Sequence, residues 1–169
     1  MKKILLLFLC IASCSRQGSQ TQHLVSTADW PVFRGDQSLT GFVDAAVPDR
    51  PALLWTYATE EAIKSSPVIA MGRVFIGSSD GKIYSLDLAD GGKKWQYDTG
   101  ESVEAPPLFV DSTLFVGSMD GTFHALDAWL GAQKWFFNAE NRICGSANCV
   151  RRIADHRLTR RACSTWTGV

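Results

Sequence analysis

From residue 68 the chain alternates short apolar runs with turn residues. The runs are Val68-Ile69, then Arg73-Val74-Phe75-Ile76-Gly77, then Lys82-Ile83-Tyr84-Ser85-Leu86, then Lys94-Trp95-Gln96-Tyr97. Runs this short, bounded by Gly and Asp, predict four strands of four to six residues. No ten-residue stretch of helical period is free of Gly or Pro, so helices are not expected. Asp80-Gly81 separates the second run from the third, and Asp-Gly is the pair a two-residue hairpin takes when both central residues need positive φ. Met71-Gly72 marks the turn before it.

The pattern then recurs. Trp55, Trp95 and Trp135 stand forty residues apart. Aligning on them pairs Ile63 with Val103 and Ile143, Pro67 with Pro107, Gly77-Ser78 with Gly117-Ser118, Asp80-Gly81 with Asp120-Gly121, and Leu86-Asp87 with Leu126-Asp127. A four-stranded antiparallel meander of about forty residues, repeated, predicts an all-β propeller. Two units are whole; ahead of them Leu53-Leu54-Trp55-Thr56-Tyr57 supplies only the outer strand of a blade. A closed propeller needs at least four such blades, so the repeats at 29–150 read as an incomplete propeller, a fragment of a longer protein. Two blades bury their apolar faces only against each other, and isolated they should be marginally stable.

Ser85 to Trp95 and Ala125 to Trp135 each carry a small residue first, Asp third (Asp87, Asp127), Gly seventh (Gly91, Gly131) and Trp eleventh. This resembles the tryptophan-docking motif of the pyrroloquinoline-quinone-type propellers. The resemblance implies that each indole stacks on the glycine turn of the next blade and donates its ring N–H to a backbone carbonyl. The physics agrees, since glycine leaves room for a flat ring and a buried indole needs one acceptor. Asp87, Gly91, Trp95, Asp127, Gly131 and Trp135 are therefore expected to join blades and not to bind substrate. Upstream, Asp29-Trp30-Pro31-Val32-Phe33-Arg34-Gly35-Asp36 resembles the opening segment of outer-membrane assembly lipoproteins of the same propeller family.

The N-terminus adds a location. Met1-Lys2-Lys3 is a positive start, Ile4 to Leu9 a short apolar core, and Ile11-Ala12-Ser13-Cys14 places small residues before a cysteine. This reads as a bacterial lipoprotein signal peptide over 1–13, with Cys14 as the acylated first residue and 14–28 as a polar tether. The apolar run is too short for a permanent membrane helix. The expected place is the bacterial cell envelope, periplasm-facing, held through the lipid at Cys14, with the outer membrane as the favoured bilayer.

Charge and candidate chemistry change this little. Lys plus Arg and Asp plus Glu number 17 each, which argues against steering toward nucleic acid. Asp80, Asp87, Asp120 and Asp127 recur once per unit, as turn residues that cap local backbone would; a catalytic residue is expected in one blade only. His124 replaces Tyr84 in the repeat, inside a strand and without a neighbouring base or nucleophile. Cys144, Cys149 and Cys163 remain once Cys10 and Cys14 are assigned to the signal and the anchor; with His156 they match no compact zinc knuckle. No cofactor, metal site or small-molecule substrate is identified, and the expected partner is an envelope protein. The function implied is a non-catalytic scaffold. The alternative is a fragment of a quinone-dependent dehydrogenase, a class that shares the docking motif but would use calcium held by carboxylates and amides, a catalytic Asp and often two adjacent cysteines; no two cysteines are adjacent here.

After 150 the period fails. Ala154-Asp155-His156 stands where the units have Val74-Phe75-Ile76 and Leu114-Phe115-Val116, and five arginines fall between 151 and 161. The tail at 151–169 reads as out of frame or disordered. Thr165-Trp166-Thr167, read in another frame, yields a codon ending TG followed by GAC, that is Leu, Met or Val and then Asp, where the period demands Leu-Asp.

Overall fold

The structure is a computed structural model that describes residues 29–36, 38–42, 49–149 and 163–165. The expected signal peptide, Cys14 with its tether, and most of the 151–169 tail lie outside the described residues. Two four-stranded antiparallel sheets carry the fold, with no helix among the described residues. The first is β1 (Val68–Ala70), β2 (Arg73–Gly77), β3 (Lys82–Asp87) and β4 (Lys93–Asp98) in sequential order. The second repeats it as β5 (Leu108–Val110), β6 (Thr113–Gly117), β7 (Thr122–Asp127) and β8 (Gln133–Asn138). Beyond them β9 (Ala147–Cys149) opens a third unit and pairs with β10 (Cys163–Thr165). These are two propeller blades side by side.

The turns depart from the expectation. Asp80 and Asp120 do not take positive φ; only Gly81 (82°) and Gly121 (88°) do. Gly81 N–H donates to the Ser78 carbonyl and Ser78 N–H to the Lys82 carbonyl, which makes a three-residue loop whose last residue is left-handed. The Asp side chain shapes it by accepting from the N–H two residues on, as in Asp80 to Lys82 at 3.0 Å and Asp120 to Thr122 at 2.7 Å. The two-residue turn with both φ positive sits one hairpin earlier, at Met71-Gly72 (56° and 68°) and Asp111-Ser112 (46° and 58°), where Ala70 pairs with Arg73 and Val110 with Thr113. That tight turn leaves the first strand of each blade three residues long, shorter than the four to six expected.

The core lies between the sheets. Val68, Ala70, Phe75 and Ile83 of the first blade pack with Val103, Leu114, Val116 and Leu126. Each blade also leaves a glycine in its second strand for the apolar residue that opens the next unit: a Cβ on Gly77 would run into Val103, and one on Gly117 into Ile143. Val103 N–H donates to the Ser78 carbonyl, and Ile143 N–H to that of Ser118. Ile63 takes the same position before the first blade, yet it is exposed.

The opening segment is part of this body. Trp30 exchanges backbone hydrogen bonds with Ile69 of β1 (2.7 and 2.9 Å), and Phe109 N–H of β5 donates to the Pro31 carbonyl at 2.7 Å. Val32 is buried against the second blade. A segment expected only by resemblance thus ties together the first strands of both blades.

Candidate interaction site at the blade seam

The seam is built from the β3–β4-type turn of one blade and the segment that precedes it by a period: the outer strand β4 for Trp95, and for Trp55 the stretch at 53–57, which was expected as an outer strand but forms none in the structure. Asp87 shapes that turn in the first blade: it accepts from Ala89 N–H at 2.8 Å, and Gly91 N–H returns to its carbonyl at 3.0 Å. In the second blade Asp127 accepts from both Trp129 and Leu130 N–H at 2.9 Å, and Gly131 N–H returns to its carbonyl at 2.8 Å. Gly91 and Gly131 are left-handed, with φ of 73° and 72°. Trp55 lies on Gly91 and Trp95 on Gly131, so close that an added Cβ would stand 2.6 Å from either ring. The Trp55 indole donates to the Leu88 carbonyl at 3.0 Å and the Trp95 indole to that of Ala128 at 3.1 Å. Trp135 is half-buried on Phe115 and Phe123, on the far side of the second blade.

Lys94 and Lys134 bridge to Asp87 and Asp127 at 2.9 and 3.4 Å. The Lys94 bond and the Ala89 N–H hold the Asp87 carboxyl below its usual range. For Asp127 the Leu130 N–H does most of the lowering, and burial opposes it. Burial pushes Asp120 up, but the Thr122 backbone and hydroxyl bonds outweigh it. Asp87, Asp120 and Asp127 accept from N–H groups of their own turns, while Asp80 accepts in addition from Glu60 N–H at 3.2 Å and from the Tyr84 hydroxyl.

Two features of the seam were not foreseen as contacts, although the second involves His124, already marked by its replacement of Tyr84 in the repeat. Arg73 of β2 reaches across, donating to the Trp129 carbonyl at 2.8 Å and the Ala128 carbonyl at 3.4 Å, with its guanidinium 3.9 Å from the centre of the Trp129 ring. Ala128 thus accepts from the Trp95 indole and from Arg73 at once. The position is Thr113 in the second blade, so the period hides it. Tyr97 of β4 packs edge-on against His124 of β7, with ring centroids 5.5 Å apart, and its hydroxyl donates to Gln133.

Among the described residues no three His, Cys, Asp or Glu side chains are gathered to hold a metal ion. The repeated carboxylates accept from backbone N–H groups, and β1 and β5 make backbone hydrogen bonds to Trp30 and Pro31. Cys144 is an exposed free thiol. No helix of the described residues is long and apolar enough to cross a membrane.

Residues 45–135 match the family model described as outer membrane protein assembly factor BamB, more than half of the 169 residues. No curated protein matches the sequence. Among solved structures, the quinohemoprotein alcohol dehydrogenase of Comamonas testosteroni superposes with a TM-score of 0.61 at 19% identity, over 73% of this chain and 22% of that one. A europium-containing methanol dehydrogenase superposes with a TM-score of 0.64 at 18% identity, over 75% of this chain and 27% of that one. BamB from Moraxella catarrhalis is similar at 23% identity over 57% of this chain and 44% of that one, with a TM-score of 0.46. The chain spans about a quarter of the length of the two dehydrogenases, and the likeness to them is one of fold.

Proposed function

The chain belongs to the family described as outer membrane protein assembly factor BamB, and on that premise we propose that it is a non-catalytic, membrane-tethered propeller scaffold that presents blade edges and loops to a protein partner in the bacterial envelope. The family match over residues 45–135 carries the reading. It is supported by the repeated carboxylates Asp87 and Asp127, which accept from N–H groups of their own turns, and by the opening segment, which bonds to both β1 and β5. The docking residues Asp87, Gly91, Trp95, Asp127, Gly131 and Trp135 serve the frame. The tether is the lipid at Cys14 and the location is the periplasmic face of the outer membrane. Residues from about 151 onward are out of frame, and the complete protein carries further blades; resequencing the locus should reveal more forty-residue tryptophan units downstream.

The fold likeness to the two dehydrogenases keeps one competing reading specific: a fragment of a quinone-dependent enzyme. Thermal unfolding with and without calcium plus pyrroloquinoline quinone separates the two, because a ligand bound only by the folded state raises the melting temperature. The scaffold reading expects no rise and an envelope protein cross-linked to the tethered chain in cells; a clear rise overturns it. For the anchor, a fatty-acid analogue should label the wild type and not Cys14→Ser, and equal labelling of both would remove the tether from the proposal. Two or more chains, at about 0.8 kcal/mol per buried methylene, would make that anchor effectively permanent.

A further inference from the structure

The aromatic pair at the seam recurs with one of its two rings changed. Ahead of the first blade, Tyr57 packs on Tyr84 with ring centroids 5.5 Å apart, and the Tyr84 hydroxyl donates to Asp80 at 2.7 Å. One period later Tyr97 packs on His124 at the same separation, but the imidazole makes no bond to Asp120. Both of its ring nitrogens are buried without a hydrogen-bond partner, and the ring is 6% exposed. The neighbouring Gln133 accepts the Tyr97 hydroxyl at its Oε1, and its side chain still favours a charged ring. A histidine has thus replaced a satisfied tyrosine at an inter-blade contact while the carboxylate that would receive its proton has been kept.

The surroundings of the ring come from four places. Val116 of β6 and Phe136 of β8 are its cross-strand partners and carry no charge. Tyr97 of β4 and Gln133 of β8 are polar and neutral. Asp120, on the β6–β7 turn, is the charged group that favours a protonated ring. Burial outweighs Asp120 and Gln133 and holds the imidazole below the ordinary histidine range, so the ring is neutral where it stands.

We propose that His124 is a proton-sensitive joint: once protonated, the ring turns from its buried place toward Asp120, gives up its packing on Tyr97, and loosens the first blade from the second. The proton comes from solvent, and the bond it forms to Asp120 is the counterpart of the one Tyr84 makes to Asp80. The neutral form is the one the closed seam favours, so the seam is at full strength above the pKa of an unfolded histidine, about 6.5, and loses strength as the pH falls below it. The inference does not depend on which activity the propeller serves.

Two measurements on the full chain test it. Imidazole resonances of histidine-labelled protein, assigned to His124 by its loss in a variant, should titrate with a midpoint below about 6.5. Hydrogen exchange, corrected for its intrinsic pH dependence, should show β4 and β7 amides losing protection between about pH 7.5 and about pH 5 in the wild type, and keeping it in His124→Tyr, where the tyrosine bonds Asp120 as Tyr84 bonds Asp80. A midpoint at or above that value, or equal acid loss in His124→Tyr, overturns the proposal. If His124→Tyr does not fold, Asp120→Asn takes its place: the midpoint should drop further, and an unchanged midpoint overturns the role given to Asp120.

Discussion

Gly131→Ala tests how the blades are joined more sharply than deleting the tryptophan does. Two costs combine there. The backbone sits at φ 72°, where a residue with a Cβ pays about 1–2 kcal/mol. The new methyl would also stand 2.6 Å from the Trp95 ring, and forcing an extra carbon into a packed contact costs about 1–3 kcal/mol. Stiffening the unfolded chain returns about 0.4–1 kcal/mol, which leaves a net loss of roughly 1–5 kcal/mol, centred near 3. Gly72→Ala is the internal control, because Gly72 has nearly the same φ, 68°, with nothing within 4 Å of the added Cβ. It should lose only about 1 kcal/mol, the backbone cost less the unfolded-state gain. Urea unfolding of both variants, at one pH and protein concentration, gives the difference directly. A double-mutant cycle then assigns it: in a Trp95→Ala background Gly131→Ala should cost no more than Gly72→Ala, since the ring it strikes is gone. Equal losses for Gly131→Ala and Gly72→Ala in the wild-type background would refute the argument that the indole is seated on this glycine.

Trp95→Ala should itself cost about 3–5 kcal/mol of unfolding free energy, while Trp95→Phe, which keeps a ring and loses the bond to the Ala128 carbonyl, should cost distinctly less. Arg73→Ala should cost about 2–4 kcal/mol through its two carbonyl bonds and the Trp129 stack, and Arg73→Lys should not rescue it because an ammonium cannot reproduce the planar fork; full rescue by lysine would make Arg73 a simple charge. Ser112→Gly, which relieves a non-glycine residue at φ 58°, should be neutral or stabilise by up to about 1 kcal/mol, and a clear loss in the urea midpoint would show the left-handed turn to be misassigned. Asp87, Asp120 and Asp127 all have folded pKa values below the ordinary 3.8, so their contribution is complete above that value and lost as the pH falls through the lower, folded value; a urea midpoint that did not fall between about pH 4 and about pH 2 would contradict it.

Repetition decided what could be read from the chain alone. The strand pattern was legible because period-2 apolar runs and turn pairs recur at a fixed spacing, so one unit checks another: Phe75 and Phe115 share a register, as do Gly77 and Gly117. The turn types were less legible. Asp-Gly signals a left-handed residue but not how many, and the structure uses one at Gly81, with the Asp80 side chain capping the Lys82 N–H. The pair with two left-handed residues is Met71-Gly72 in one blade and Asp111-Ser112 in the other, and only one of those four is glycine. There the strand pairing imposes the conformation against local preference, so composition gives no warning.

The same logic separates frame from individuality. A residue that recurs in every unit at the same place, as Asp87 and Asp127 or Gly91 and Gly131 do, meets the same local demand twice, and the structure shows that demand to be backbone capping and a seat for an indole. What belongs to this propeller in particular must lie where aligned positions differ. Three differences converge on a single seam: Arg73 against Thr113, Tyr84 against His124, and Leu88-Ala89-Asp90 against Ala128-Trp129-Leu130. The first and third act together, because Arg73 finds its partners on Trp129 and Ala128. The second sits in the same junction with both nitrogens unpaired. The two aligned units therefore differ in chemistry where they meet, and the Trp129-Leu130 tip there is exposed by 56% and 71%. Arg73 ties this turn to the first blade through the Trp129 ring and two carbonyls, so the turn serves the seam, while the exposed surface of Trp129 and Leu130 exceeds what packing the two sheets uses.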